Sequence, residues 1–304
     1  MPTISTIIPA YNRAHSVRRA IDSVLSQAVD LEVIVVDDGS TDNTREVVNG
    51  YEDPRVVYIR QGNAGAGAAR AAGAKRARGR WLHFLDSDDY VCEQAYPKLL
   101  ALAESGPSLA MAFCECWFED YHTGKRTPAV DLPQGPREEL ARFAISNGQF
   151  YNCRFLVKRI VYEEEGGYDP DLRTGVEELV AFLPVVMKHA YKRTNERLAV
   201  VRLGDSGRLT SDPVGLYRAW GAVMARLMRD DQLRPVIERS MWRARSSQLL
   251  LCGTLLFSLA DYPKAVAYIA HAVARSPGLL LRRNANPLSL TLRAIYRMAM
   301  TGSV

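Results

Sequence analysis

Four times in its first ninety residues the chain runs apolar for a few positions and then breaks off into a polar cluster. The fourth of these breaks is the sharpest. Trp81 to Tyr90, WLHFLDSDDY, opens with the aromatic and branched content of a buried strand and then sets three carboxylates, Asp86, Asp88 and Asp89, within four residues. Like charges that close repel, and at a strand end they cannot all be buried unless something cationic sits between them. A divalent metal is the natural cation, because hard oxygen ligands on a short polar loop suit Mg²⁺ or Mn²⁺, which complete their shells with water and substrate phosphates. Taken alone, DSDD fits a solvated acidic turn better.

It is not alone. Thr3 to Ala10 reads as a buried strand, with Tyr11 and Asn12 at its C-terminal end, and His15 to Gln27 has helical periodicity. Leu31 to Val36 is apolar throughout, as when both faces of a parallel sheet are covered, and it ends in DDGSTD. Ser40 or Thr41 is placed to cap a helix over Asn43 to Tyr51, with Asp42 in its first turn. Arg55 to Ile59 is a third strand, and Gly62 to Arg78 begins glycine-rich and becomes helical before the fourth strand. This alternation predicts an α/β fold with a mainly parallel sheet, whose ligands bind outside the carboxyl ends of the strands. Tyr11, Asp37 and Asp38, the segment Asn63 to Arg70, and Asp86 to Asp89 all fall at those ends.

The segment NAGAGAARAAG contains Gly65 and Gly67 in G-x-G spacing, but Arg70 stands at the third position and the segment follows the third strand. It therefore fails the dinucleotide fingerprint. A loop and helix N-terminus whose amides and one Arg face a phosphate is the simpler reading.

Taken in order, IIPAYNR, EVIVVDDGSTDNT, GNAGAGAAR and FLDSDD resemble inverting glycosyltransferase family 2. The resemblance covers about Thr3 to Tyr90 strongly and extends more weakly to about Thr210. It implies a GT-A fold: a Rossmann-like, mixed but mainly parallel sheet flanked by helices. It implies that Pro9, Ala10 and Tyr11 line a nucleobase pocket, that Asp38 accepts from the base with Asp37 in support, and that Arg70 approaches a diphosphate. Asn63 falls in the same donor segment. Asp86-Ser87-Asp88 matches the family's DxD, with Asp88 the ligand of Mn²⁺ or Mg²⁺ and Asp86 turned toward ribose or a metal-bound water. The donor implied is a nucleotide sugar, UDP-linked by resemblance, and the acceptor a carbohydrate or a lipid-linked saccharide.

Downstream, EEEGGYDPDLRTGVEELV is similar to the family's segment that supplies the catalytic base. Glu178 stands at the family's Asp position, one methylene longer, with Glu177 before it. One carboxylate must take a proton from the acceptor hydroxyl as it attacks, and Glu178 is assigned that part. Both glutamates would also suit the first turn of a helix on dipole grounds alone. Two further departures are Ala72, where the family often has Asn, and Arg202-Leu203-Gly204, where it has R-x-H; Asp205 is a candidate replacement for the missing His. His15 and His189 read as structural. Pro107 to Phe118 is strand-like, Tyr121 to Pro136 an exposed loop, Glu138 to Asn147 helical, and Arg154 to Tyr162 extended.

A length of 304 residues admits one large domain or a domain with an appendage. The expected division is a catalytic domain over residues 1–212 and an all-helical extension over 213–304. The net charge of +5 is concentrated in that extension, which holds 13 Arg or Lys against 4 Asp or Glu. Such a tail suits an anionic surface, lipid headgroups or nucleic acid, and equally a helical bundle with a solvated Arg face. No interleaving of aromatic and basic residues supports nucleic acid. Arg282, Arg283, Arg293 and Arg297 among leucines make the last helices amphipathic, suited to peripheral membrane contact or to a homodimer surface. Around Leu259 to Ala265 the tail is similar to one tetratricopeptide-type helix hairpin. Ser246 to Ala260, the longest uncharged stretch, is too short to span a bilayer. The N-terminus shows no basic leader, and five cysteines without CxxC spacing fit a reducing compartment, so a cytoplasmic protein is expected. A non-catalytic nucleotide-sugar-binding protein is the alternative function, and a nicotinamide dehydrogenase is disfavoured by the failed glycine fingerprint.

Overall fold

A computed structural model describes residues 1–147, 150–172, 175–204, 213–258 and 261–275. The chain divides into two compact units, one of Met1–Ala141 with Gln149–Ser206 and one of Arg142–Gly148 with Gly207–Val304.

The first unit opens with the predicted alternation: β1 (Ile4–Ala10), α1 (Val17–Leu25), β2 (Leu31–Asp37), α2 (Thr44–Asn49), β3 (Val56–Arg60), α3 (Ala66–Arg76) and β4 (Trp81–Phe84). There follow β5 (Tyr90–Val91), α4 (Ala95–Ala103), β6 (Leu109–Asp120), β7 (Arg126–Pro128), α5 (Arg137–Asn147, which runs on into the second unit), β8 (Phe155–Lys158), α6 (Arg159–Glu164), α7 (Glu177–Lys188) and β9 (Ala190–Leu203). Among the described residues these strands form one sheet in the order β3-β2-β1-β4-β8-β6-β9-β5, with β7 on β6. β1 to β4 are mutually parallel, and β8 is antiparallel to both β4 and β6. β6 and the parallel β9 therefore point the same way as β4, so that the ends of β1, β2, β4, β6 and β9 gather at one side.

Every residue of β1 and β2 is buried, which is why their sequences are apolar on both faces. Ser5, Thr6, Glu32 and Asp37 are the polar exceptions, and the Glu32 carboxylate is fully used. It accepts from Ser5 Oγ at 2.6 Å and from the Arg78 amide at 2.7 Å and Nε at 2.9 Å, which pins the chain entering β4. Burial alone would raise the Glu32 carboxyl, but these donors outweigh it and hold it below the usual range.

Three local expectations change, and one strand, β9, arises where the sequence pattern shows none. Neither Ser40 nor Thr41 caps α2: the Ser40 hydroxyl accepts the Asn12 amide, the Thr41 amide donates to Asn12 Oδ1, and Asp42 Oδ1 accepts the Thr44 amide at 3.0 Å. The polar side chains are drawn across to the loop after β1. The 154–162 segment is extended only over β8 and then turns helical, since pairing with β4 and β6 ends at Lys158 while Val161 and Tyr162 bury. The 121–136 loop contains the short β7. β9, fourteen residues long, has no strand-like pattern in its charged first half, and its pairing with β6 extends it.

The second unit contains α8 (Pro213–Leu227), α9 (Arg234–Ser258) and α10 (Tyr262–Arg275). Trp220 Nε1 donates to the Ile145 carbonyl at 3.2 Å, tying α8 to the end of α5. Cys252, Leu256 and Ala265 form an apolar seam between α9 and α10, joined by Tyr217 and Tyr268. No helix among the described residues is long and apolar enough to cross a membrane. Asp205, the predicted last helix and the four arginines of the 282–297 segment lie outside the described residues.

Candidate functional site

At the ends of β1 and β2 the structure sets two adjacent aspartates to different work. Asp37 is fully buried and accepts the Ser40 amide at 2.7 Å and the Tyr58 hydroxyl at 2.5 Å. Asp38, 4% exposed, accepts from Gln61 Nε2 at 2.7 Å and from the Ala64 and Gly65 amides at 2.8 Å each. Three of the roughly four lone-pair directions of that carboxylate are thus spent on the glycine-rich turn. Gly65 sits at φ +93°, a backbone that other residues rarely adopt, and lets its amide turn back to Asp38. Pro9 and Ala10 are buried beside them, while Tyr11 and Asn63 are exposed.

The acidic loop after β4 is divided in the same way. Asp89 is buried, and its Oδ1 accepts the Arg202 amide at 3.0 Å, fastening the loop to β9. Ser87 is buried, and Asp88 is partly open. Asp86 pairs with Arg70 Nη2 at 2.6 Å. Arg70, projecting from α3, is itself buried, lies 5.3 Å over the Tyr168 ring, and keeps an Nε with no hydrogen-bond partner. Burial disfavours its charge, yet Asp86 outweighs that penalty and pushes Arg70 upward. The cation required beside the clustered carboxylates is therefore supplied, for Asp86, by the protein itself.

Among the described residues no three His, Cys, Asp or Glu side chains converge as a complete metal cage. The donor set of Asp88 with Asp86, hard oxygens at a half-open strand end, nevertheless fits a hard divalent cation. Mg²⁺ in particular is held by one or two carboxylates with the rest of its shell left to water and phosphate.

Glu177 and Glu178 open α7, and the fold separates them. Glu177 is 3% exposed, and its Oε1 accepts the Gly175 amide at 3.0 Å, a local reach back over the helix start. α3 approaches so closely that a Cβ on Gly67 would lie 3.1 Å from Glu177 Cγ and 3.2 Å from the Leu172 carbonyl. Glu178 is partly buried, and its carboxyl is pushed up to about 8, first by burial and then by the neighbouring Glu177 charge. Arg70 and Asp86 both lie near enough to act on it electrostatically. The structure thus brings Arg70, Asp86 and the two glutamates into one electrostatic group, while Asp37 and Asp38 shape the adjoining loop.

Tyr168 and Asn152 complete this wall without having been singled out beforehand. The Tyr168 hydroxyl donates to Asn152 Oδ1 at 2.6 Å, and its ring packs on Phe84 and Phe182 at 5.1 and 5.4 Å. Tyr168 was visible as the aromatic of the GGYD segment; Asn152 carried no signal. His189, at the far end of α7, bonds Glu165 at 2.9 Å, and His15 packs edge-on to Tyr121.

Residues 5–164 match the family described as Glycosyl transferase family 2. Similar sequences include the succinoglycan biosynthesis protein ExoO of Rhizobium meliloti (strain 1021), 29% identical over 314 residues that cover 95% of this chain and 90% of that protein. The uncharacterized glycosyltransferase EpsJ of Bacillus subtilis (strain 168) is 31% identical over 185 residues, 57% of this chain and 53% of that protein. Among solved structures, S. aureus TarS 1-349 in complex with UDP-GlcNAc superposes with a TM-score of 0.65 at 17% identity, covering 90% of this chain and 81% of that one. The mannosyltransferase PcManGT from Pyrobaculum calidifontis, in complex with GDP-Man and Mn²⁺, gives 0.58 at 19% identity, covering 98% and 81%. The sheet and its flanking helices are those of the GT-A fold.

Proposed function

Because this chain belongs to glycosyl transferase family 2 and is a glycosyltransferase, we propose that it moves a sugar from a nucleotide diphosphate donor, UDP-linked, to an acceptor hydroxyl with inversion at the anomeric carbon. The acceptor is a carbohydrate or a lipid-linked saccharide in polysaccharide synthesis, a reading supported by the name of the relative ExoO. UDP is supported by the TarS complex with UDP-GlcNAc, and a divalent cation by the PcManGT complex with Mn²⁺. Residues 1–212 form the catalytic part and residues 213–304 a helical extension.

In this mechanism Pro9, Ala10 and Tyr11 receive the nucleobase, with Asp37, Asp38 and Asn63 shaping and flanking the loop it meets. Glu178 accepts the acceptor's hydroxyl proton as that oxygen attacks the anomeric carbon, and the bond to the diphosphate breaks on the opposite face. An upward-shifted carboxyl is a stronger base than an ordinary glutamate, as this step requires. Glu177 holds the start of α7 and keeps the base basic through its charge. Arg70 faces the negative charge that develops on the departing diphosphate. Asp88, with Asp86, would hold Mn²⁺ or Mg²⁺, which when bound stabilises that same charge as a Lewis acid.

The observation that carries the reading is Arg70, a buried cation that bonds the acidic loop at 2.6 Å and lies within electrostatic reach of Glu177 and Glu178. The test is a panel of nucleotide sugars with and without Mn²⁺, followed by thermal shift and by NMR of the product's anomeric configuration. UDP should stabilise the protein in the presence of Mn²⁺, and the new linkage should be opposite in configuration to the donor. Retention of configuration, or nucleotide binding that survives Asp88→Asn with undiminished metal dependence, overturns the assignment.

A further inference from the structure

Next to the acidic loop stands a second charged group that the donor reading leaves unused. Glu119, near the end of β6, is 4% exposed and collects three guanidinium groups. Arg19 Nη2 lies 3.0 Å from Oε1, Arg126 Nε 3.0 Å from Oε2, and Arg202 Nε 3.4 Å from Oε1, the last an ion pair without a hydrogen bond. The Tyr90 hydroxyl also donates to Oε2, and Arg126 Nη2 donates to the Tyr90 oxygen at 2.8 Å. Aromatic rings back the guanidinium planes: Arg19 sits 3.9 Å over Tyr90 and Arg202 4.3 Å over Tyr121. Asp120, the nearest other carboxylate in sequence, is turned away onto the amides of His122 and Thr123.

One carboxylate therefore faces three cations. Burial alone would raise the Glu119 carboxyl, but Tyr90, Arg126 and Arg19 outweigh it and hold it below the usual range, so it is ionised, and among the described residues of this cluster one negative charge stands against three positive ones. Exposed ion pairs contribute little to stability, and Arg19 and Arg126 are 44% and 47% exposed, so pairing with Glu119 does not account for these two arginines. Stacking on tyrosine fixes the planes of the guanidinium forks before any ligand arrives, and such forks match oxygen-rich anions.

The location is equally specific. Glu119 and Arg202 close β6 and β9, Arg126 opens β7 opposite Glu119, and Arg19 is in the first turn of α1. All lie at the strand ends where the donor residues gather. The same Arg202 whose side chain completes the cluster donates its amide to Asp89 of the acidic loop.

We propose that Arg19, Arg126 and Arg202, held by Glu119, Tyr90 and Tyr121, bind a phosphate group carried by the acceptor; this deepens the transferase reading and rests on it. A tetrahedral phosphate near −2 suits this excess of positive charge and offers three oxygens to three forks. The phosphate has two available sources, a soluble phosphorylated saccharide or the headgroup of a lipid-linked acceptor.

Two probes separate the sources: glycerol 3-phosphate by isothermal titration, and phosphatidic acid vesicles against neutral ones by co-sedimentation. Each is run with and without saturating UDP and Mn²⁺. Wild type should bind at least one probe equally in both conditions, and Arg19→Gln/Arg126→Gln should bind it about tenfold more weakly or worse, the loss expected for charge-assisted bonds. Arg126→Gln alone, at an exposed position, serves if the double variant is unstable. Transfer of the donor sugar to water and affinity for UDP should be unchanged in either variant. Binding of neither probe, or equal binding by wild type and variants, overturns the proposal. Failure of wild type to bind UDP would instead overturn the donor reading, and the phosphate titration would report separately.

Discussion

Replacing Glu178 with Gln should abolish turnover and at the same time make the protein more stable at alkaline pH. The folded carboxyl titrates near 8 and its ordinary value is 4.5, a difference of about 3.5 units. Between those values the folded state retains a proton that the unfolded chain releases, so wild-type stability falls as pH rises through that window. At 1.36 kcal/mol per unit the ceiling on the lost stability is about 5 kcal/mol. Glu178 is only partly buried, and solvent screening brings the expected effect to roughly 2–3 kcal/mol. Glutamine mimics the protonated acid and does not titrate. Urea unfolding of both proteins at pH 4, 6 and 8 should therefore give curves that coincide at pH 4 and diverge in favour of the variant by pH 8. UDP binding with Mn²⁺ should persist in the variant, and wild-type kcat/KM should climb toward pH 8 as the base ionises. Parallel stability curves, or a variant less stable at pH 8, would refute both the burial argument and the role of Glu178 as a strengthened base.

Asp88→Asn should remove the Mn²⁺-dependent part of UDP stabilisation in a thermal-shift assay. Glu115→Gln should cost about 3–5 kcal/mol by urea denaturation, because Glu115 and Arg154 are 2% and 1% exposed and the substitution strands a buried guanidinium. Gly67→Ala puts a methyl 3.1 Å from Glu177 Cγ, so the start of α7 must shift by a few tenths of an ångström. Steady-state kinetics should show kcat down roughly threefold to tenfold with UDP affinity unchanged.

Much of the first unit was legible because its signals are local. A parallel strand covered on both faces needs a largely apolar run, and β1, β2 and β4 each carry one. A ligand at the carboxyl end of such a sheet needs polar residues directly after the run, and DDGS and DSDD stand there. The family's motifs are built from these same adjacent residues. β9 was not legible, since its charged first half becomes a strand only where β6 offers a ladder to complete. The turn from β8 into α6 was missed for the related reason that the limit of strand pairing is set by neighbouring strands.

The sequence by itself determined which residues stand at the strand ends and which chemistry they carry: aspartates after β2 and β4, glutamates opening α7, arginine in α3. Only the tertiary structure decided their partners. Asp86 received Arg70 from sixteen residues away, Asp89 the amide of Arg202 from 113 residues away, and Asp38 the amides of the glycine-rich turn. Glu177 was drawn back onto its own helix start, and Glu178 was left to be shifted by burial. The cluster around Glu119 draws on α1, β5, β7 and β9 and has no trace in any single stretch of chain. Apolar periodicity is written between adjacent residues, but charge pairing and desolvation depend on distances between remote segments, and those exist only once the sheet has closed around them.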